Sequence, residues 1–472
     1  MAQASDFLTV AAGQMVAEPL ARAAASLDAI ERLARRAAGR RAELLVLPEC
    51  AYPAYAIGSP EAFRSADVLS PDAFLDFVAA LARELSLHIV TGHVGLVDGR
   101  LVNTACLIDR HGQILGRYDK QMLWDIDHRT FTAGTTIEAF DTEFGRVGIL
   151  ICADARVPEI IATLAAAGAQ LIAMPTGWVT VDDPGGNHRN PQPEFLISAR
   201  ADEFSLPFVC ANKVGRETDN VAFCGRSMIV RAKGTILAEA PPTGETLIVS
   251  RLLIDQQDSP RRIWMADARR ARLLSNAPAV VEPDATGAVA IAVMPRSAMD
   301  ENMENDGGKG YFGSLKPRKV NLLVTNVKFD ATAETLTRVG ALHDVAVAAF
   351  PSSSKVRNLA GLRVGLIAGQ ASLSFASARA LSLDGAELLC LFVGGLDLDR
   401  LRARAIENRV YVVAVTEHES CIIGPDGGVV ARSDPYTPHE ITFTIDRARA
   451  ADKTVAPNTD VFRARRPGAY KF

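Results

Sequence analysis

The chain has 472 residues, 48% hydrophobic and 22% charged, with a formal net charge of −4. That length exceeds one comfortable domain, so two are expected, and the apolar content is ample for substantial cores. Near-neutral charge without a long run of Lys or Arg argues against nucleic acid or an anionic membrane as partner.

The N-terminal MAQASDFLTVAAGQ lacks a basic start followed by an apolar signal core, and no apolar segment is long enough to span a bilayer. A cytoplasmic protein is expected. Phe7 to Val16 reads as a strand, and Pro19 opens a helical Ala, Leu and Arg-rich stretch to Arg41. Leu44 to Leu47 is a short buried strand ending on Pro48-Glu49. Ser70 caps a helix over Pro71 to Leu85. His88 to His93 and Leu101 to Ile108 are strands joined through the turn Asp98-Gly99. Lys120 follows in GRYDKQMLW.

Gly145 to Glu159, GRVGILICADARVPE, is the pivotal stretch. An apolar strand stops on Cys152, and Pro158 marks the first turn of a helix that runs to about Ala167. A thiol at the carboxyl end of a strand, beside a helix N-terminus, lies where α/β folds present reactive groups. A cysteine taken alone is more often a small core residue. The seven cysteines, Cys50, Cys106, Cys152, Cys210, Cys224, Cys390 and Cys421, are scattered and lack CxxC spacing. Reduced thiols are expected, with no disulfide framework, metal or cofactor. A strand at Leu171 to Met174 leads to Pro175-Thr176-Gly177-Trp178. The polar loop Thr180 to Pro193 is long for a connector and so a candidate for function. A helix near Glu194 to Phe204 and strands at Pro207 to Asn212, Ser227 to Val230 and Thr246 to Leu253 complete a layered α/β domain with mixed sheets. Arg296 to Pro317, rich in charge, Asn and Gly, reads as a linker.

Beyond that stretch the pattern repeats. Val364-Gly365-Leu366-Ile367 mirrors Val147-Gly148-Ile149-Leu150, Arg404-Ala405-Ile406-Glu407 mirrors Arg200-Ala201-Asp202-Glu203, and Val347 to Pro351 resembles Leu44 to Pro48. In this alignment Glu49 falls on Ser352, Cys152 on Gly369, Asp154 on Ala371, Arg156 on Leu373 and Glu159 on Ala376, and the segment carrying Lys120 has no counterpart. A polar set lost together while the apolar scaffold is kept points to one site in the first copy. The expected division is a catalytic domain over 1–290, a linker over 296–317, and a non-catalytic copy over 318–472.

The ordered motifs Pro48-Glu49 with Tyr55, Lys120 after Tyr118, Phe131-Thr132-Ala133-Gly134, Cys152-x-Asp154-x-Arg156-x-Pro158-Glu159, Arg200-Ala201-x-Glu203 and Gly225-Arg226-Ser227 resemble the nitrilase superfamily of carbon–nitrogen hydrolases. The resemblance covers about residues 7 to 255, and more weakly the second copy. It implies an αββα sandwich with Glu49, Lys120 and Cys152 as the catalytic set, followed by a truncated nitrilase-like second domain. Family members commonly carry a second glutamate where this chain has Asp127, a shorter carboxylate that could orient Lys120 with less reach. Nitrilases proper resemble one another in placing Trp after the nucleophile, where this chain has Ala153, which disfavours nitriles. The RAxE helix takes part in subunit contacts in family members, so residues from 318 are a candidate pseudo-partner, with a homo-oligomer as the other possibility.

The residue types suit amide cleavage. Cys152 is the nucleophile, and a nearby ammonium and helix N-terminus would raise its thiolate fraction. Glu49 can take the thiol proton, protonate the leaving amine and activate water. Lys120 and the N–H after Cys152 can stabilise the oxyanion, an effect worth roughly 3 kcal/mol per donor. Each also has a plain alternative: a solvated turn for Glu49, a surface lysine for Lys120. Tyr55, Ala153 and Trp178 are candidate substrate-pocket residues, though Tyr55 and Trp178 could equally be core. Asp154 and Arg156 would organise the turn, Glu159 would complement the helix dipole, and His128 and Arg129 would be solvated. The loop Val181 to Gln192, with His188 and Arg189, is the candidate for specificity. The expected activity is hydrolysis of a linear carboxamide, with an N-carbamoyl substrate as the alternative. Nitrile hydrolysis, acyl transfer and a non-catalytic scaffold stand further off, and no ATP-binding glycine motif supports a synthetase.

Overall fold

In the computed structural model the described residues are 7–182, 188–254, 267–280, 287–306, 309–326, 337, 340–341, 344–349 and 355–472. They divide into two compact units. The first holds the described residues up to Ile254 and takes back two C-terminal pieces, 456–459 and 464–472. The second holds the described residues from 267 to 455, with 460–463. The first unit therefore ends before residue 290, and part of the 318–472 segment belongs to it.

In chain order the first unit comprises β1 (Phe7–Val16), α1 (Ala23–Gly39), β2 (Leu44–Val46), α2 (Pro60–Ser65), α3 (Pro71–Leu85), β3 (His88–Val97), β4 (Arg100–Ile108), β5 (Ile114–Asp119), α4 (Asp127–Thr130), β6 (Ala139–Thr142) and β7 (Gly145–Ile149). It continues with α5 (Pro158–Ala166), β8 (Leu171–Pro175), β9 (Val181–Asp182), β10 (His188–Arg189), α6 (Ile197–Phe204), β11 (Phe208–Ala211), β12 (Lys213–Thr218), β13 (Val221–Cys224), β14 (Met228–Val230), β15 (Ile236–Glu239) and β16 (Thr246–Leu253). One sheet has the order β13-β12-β1-β2-β3-β4-β5, with β16 also on β1, and the other β15-β14-β11-β8-β7-β6.

The two sheets face each other, with β1, β2 and β3 against β8 and β11. All three residues of β2 are buried, as its unbroken apolar run requires of a strand covered on both faces. On the outer side Ile30 and Leu33 of α1 and Phe74 and Val78 of α3 pack with Leu45 and Leu47. Ser70 accepts from the Ala73 N–H, the capping expected at the start of α3.

In the second unit, strands Leu322–Thr325 and Ala346–Ala348 run parallel to Ala288–Met294, and Ile441–Asp446 runs antiparallel to it. This repeats β2, β3 and β16 about β1. The six strands Lys355–Leu359, Leu362–Ala368, Leu388–Phe392, Tyr411–Val415, Ser420–Ile423 and Val429–Arg432 follow the order and directions of β6, β7, β8, β11, β14 and β15.

Two expectations are corrected here. The stretch 296–317 contains two helices, Arg296–Asp306 and Lys309–Leu315. Met299, Phe312 and Leu315 are fully buried on the strands at 288–294 and 322–325. A few well-spaced apolar side chains outweigh the polar composition, so this is core structure. The expected match of 347–351 to 44–48 fails over its described residues, because Ala346–Ala348 stands in the place of β3 and Leu322–Thr325 in that of β2; residues 350–352, with Ser352, lie outside the described residues. The mirrored nucleophile position does hold its geometry. Cys152 opens a 3-10 turn at φ +48 and Gly369 opens its counterpart at φ +63. Glycine adopts that conformation freely, whereas a cysteine held there costs on the order of 1 kcal/mol.

Candidate active site

Glu49, Lys120, Asp127 and Cys152 arrive from four separate connections and are buried together. Glu49 follows β2, and its backbone crosses β3 so closely that a Cβ on Gly92 would lie 2.7 Å from the Glu49 Cα. Lys120 follows β5. Its ammonium is 2.6 Å from Glu49 Oε1 and 2.7 Å from Asp127 Oδ2, with all three side chains at most 1% exposed. Asp127 is thus long enough to reach the lysine, and its Oδ2 also accepts from the Trp124 N–H. Burial works against the Lys120 charge, but the Asp127 and Glu49 carboxylates outweigh it and hold its pKa well above the usual lysine value.

Asn103 Nδ2 donates to Glu49 Oε1 at 2.6 Å. With Lys120 on the same oxygen, Oε1 is fixed by two donors, while Oε2 is buried without a hydrogen-bond partner among the described residues. A Cβ on Gly177 would come within 2.7 Å of Oε2, and the Gly177 N–H also favours the Cys152 thiolate. The open oxygen and the thiol therefore border the same glycine. Sequence reasoning missed Asn103, although a polar residue in the inward-facing run LVNTACLI was the available signal.

The Cys152 thiol is pushed up to about 12, first by burial and then by the Glu49 charge. Lys120, the Thr176 hydroxyl and the Gly177 N–H pull the other way without prevailing. The ammonium does pull the thiol down as expected, but desolvation prevails and favours the neutral thiol. Asp154 organises the turn. Its Oδ2 accepts from the Ile151 N–H and the Tyr118 hydroxyl, and its Oδ1 from the Met122 and Gln121 N–H groups. One carboxylate thereby ties the Cys152 turn to the segment that carries Lys120. Arg200 donates to the Ala155 carbonyl at 3.0 Å, so the RAxE helix braces the same turn. The Arg156 guanidinium lies 4.7 Å from the Trp124 ring centroid.

Of the pocket candidates, Tyr55 joins the cluster, its ring 5.7 Å from the Lys120 ammonium, and burial together with the Asp127 and Glu49 charges pushes its phenol well above the usual value. Ala153 sits buried in the nucleophile turn. Trp178 is fully buried; its backbone N–H donates to Asn212 Oδ1 at 2.8 Å, while its indole nitrogen is unpartnered among the described residues. His128 and Arg129 are exposed. In the specificity loop, 183–187 lie outside the described residues, and His188–Arg189 pairs antiparallel with Val181–Asp182. The loop's last residue, Gln192, reaches the site. Its Nε2 is 4.0 Å from Cys152 Sγ and its Oε1 is buried without a partner among the described residues. Gln192 opens a π-helical turn over Gln192–Leu196, a distortion frequent at functional sites. The expected specificity loop ends on it, although nothing singled it out within that loop.

A buried cysteine, two carboxylates and a lysine thus meet at one place in a mixed α/β fold. The family model for carbon-nitrogen hydrolases matches residues 9–258, and the chain belongs to that family, in the amidase-like branch of the nitrilase superfamily. An (R)-stereoselective amidase of Pseudomonas sp is 32% identical over 220 residues, 47% of this chain and 76% of its own. The N-carbamoylputrescine amidase of Arabidopsis thaliana is 25% identical over 253 residues, 51% of this chain and 85% of its own. The crystal structure of an amidase from Nesterenkonia sp. is 28% identical, covering 53% of this chain and 91% of its own at a TM-score of 0.45. Family and named amidase relatives together make this an amide-hydrolysing enzyme. No helix among the described residues is long and apolar enough to cross a membrane.

Proposed function

We propose that the first unit, an αββα sandwich, hydrolyses the C–N bond of a linear carboxamide through a thioester on Cys152, and that the second unit is a degenerate, non-catalytic copy. The observation that carries this reading is Glu49, with Oε1 tethered by Lys120 and Asn103 and Oε2 open beside Gly177 and the thiol. As Sγ attacks the carbonyl carbon, its proton passes to Oε2, and the oxyanion forms against the Lys120 ammonium and the Ala153 N–H. The C–N bond then breaks as Glu49 returns that proton to the departing nitrogen. Water attacks the thioester, again losing a proton to Glu49, and the C–S bond breaks to release the acid and restore the thiol.

The confined, buried centre and Ala153 after the nucleophile favour small amides over nitriles. An N-carbamoyl substrate is the second reading, supported by the relative named for N-carbamoylputrescine. Ammonia release from a panel of primary amides, N-carbamoyl amino compounds and nitriles separates these. Primary amides should give the highest kcat/KM, and Cys152→Ala should abolish turnover with its fold intact. Faster turnover of carbamoyl compounds would select the second reading. No turnover of any panel member would leave a scaffold.

A further inference from the structure

The last residues of the chain make contacts that the hydrolytic steps do not use. Arg465 Nε is 3.0 Å from Glu159 Oε1, with side chains 4% and 0% exposed. Arg466 Nε donates to the Gln121 carbonyl at 3.2 Å, and the Lys471 N–H donates to Thr163 Oγ1 at 3.1 Å. Slightly earlier, Thr459 Oγ1 accepts from the Asp125 N–H at 2.9 Å. The Tyr470 hydroxyl accepts from the Arg466 N–H at 2.9 Å, which folds the strap back on itself.

These partners fall on two segments. Glu159 and Thr163 are on α5, the helix that follows the nucleophile turn directly. Gln121 and Asp125 lie between Lys120 and Asp127. Asp154 joins the same two segments from the inside, through the Gln121, Met122 and Ile151 N–H groups. The C-terminal strap grips them from the outside. An amphipathic helix with one covered face would leave the other exposed, yet eight of the nine α5 residues are buried.

We infer that Arg465 and Arg466 are positioning residues, which set the Cys152 turn against the Lys120–Asp127 segment. This rests on the reading of Cys152 as nucleophile. A buried ion pair is weak evidence for stability, since apolar side chains often replace one without loss. What the Glu159 pair fixes is the placement of the first turn of α5. An error of about 1 Å between reacting groups costs on the order of 100-fold in rate. In the second unit the position of Glu159 is Ala376, and that copy has no thiol to place.

The test uses the full chain with Glu159→Gln and Arg465→Gln combined, so that no unpaired charge is left buried. Active sites are counted by iodoacetamide alkylation of Cys152, and kcat and KM are measured on the best amide. The expected result is kcat per alkylatable site about 10- to 100-fold lower, KM within about threefold, and recovery to within about fivefold in Arg465→Lys alone, which keeps the charge. Arg466→Ala, which removes only the side-chain contact to the Gln121 carbonyl, should lower kcat by at least about fivefold even if the double variant does not fold. A kcat per site within about twofold of wild type in whichever of the two variants folds overturns the proposal, because a purely structural strap would change only the yield of folded enzyme. Were wild type to turn over no amide, the amidase reading would fail separately. The alkylation rate of Cys152 would then decide positioning, a change of at least about fivefold supporting it and an unchanged rate overturning it.

Discussion

Glu49→Gln is expected to lower kcat by about 10³-fold or more while the protein stays folded. Glutamine keeps the volume, and its carbonyl oxygen can still accept from Lys120 and Asn103, which both donate to Oε1 in wild type. That arrangement puts an NH2 group where Oε2 stands, a donor in the place of the acceptor that is proposed to take the thiol proton. The expected loss is severe because burial and the Glu49 charge push the Cys152 thiol up to about 12, which favours its neutral form. Removing Glu49 relieves part of that push without supplying a base, so attack and the later activation of water both stall. Lys120 keeps Asp127 as partner at 2.7 Å, so stability should change by no more than about 2 kcal/mol. Steady-state kinetics and thermal unfolding on the same preparation measure both, and a loss in kcat below about tenfold would remove Glu49 from the base role.

Lys120→Met should cost stability as well as activity. The ammonium lies between two carboxylates that are both fully buried, and breaking such a buried set by removing one partner costs about 3–5 kcal/mol. Without the cation the two carboxylates repel, and folding favours the state in which a proton has been taken up between them. Because the folded variant then binds more protons than the unfolded chain, its stability falls as pH rises. Lys120→Met should therefore unfold at a higher Tm at pH 5 than at pH 8. Adding Glu49→Gln and Asp127→Asn to it should restore most of the stability and none of the activity. Unimpaired stability at pH 8 in the single variant would contradict the buried triad.

What was legible in the sequence was local. Pro48-Glu49 and the Cys152 turn each sit at the end of an apolar strand, and strand ends announce themselves by where the apolar run stops; Lys120 follows the polar strand ILGRYD and was legible only through the motif resemblance. Asp127 was legible by its spacing to Phe131, and the structure shows that its shorter side chain still reaches Lys120. The repeat was legible in the strands after the nucleophile position, where glycine and charge accompany the apolar residues. It was misaligned at 347–351, because a bare apolar pentamer carries no register and can stand for any buried strand. The stretch 296–317 was misread since composition averages over the few positions, Met299, Phe312 and Leu315, that pack. Gln192, Asn103 and the Arg465–Glu159 pair depend on contacts across 40, 54 and 306 residues of chain. A polar residue in the run LVNTACLI and the loop ending on Gln192 were local signals, but no local pattern encodes partners at such separations.

The proposed mechanism places a covalent acyl group on Cys152 during turnover. Acid quenching of the enzyme while it turns over its best primary amide, followed by peptide mass spectrometry, observes that group directly. The expected result is a mass increase equal to the acyl moiety on the peptide containing Cys152, with no adduct in Cys152→Ala. An adduct on neighbouring Cys50 instead, or continued ammonia release by Cys152→Ala, would contradict it.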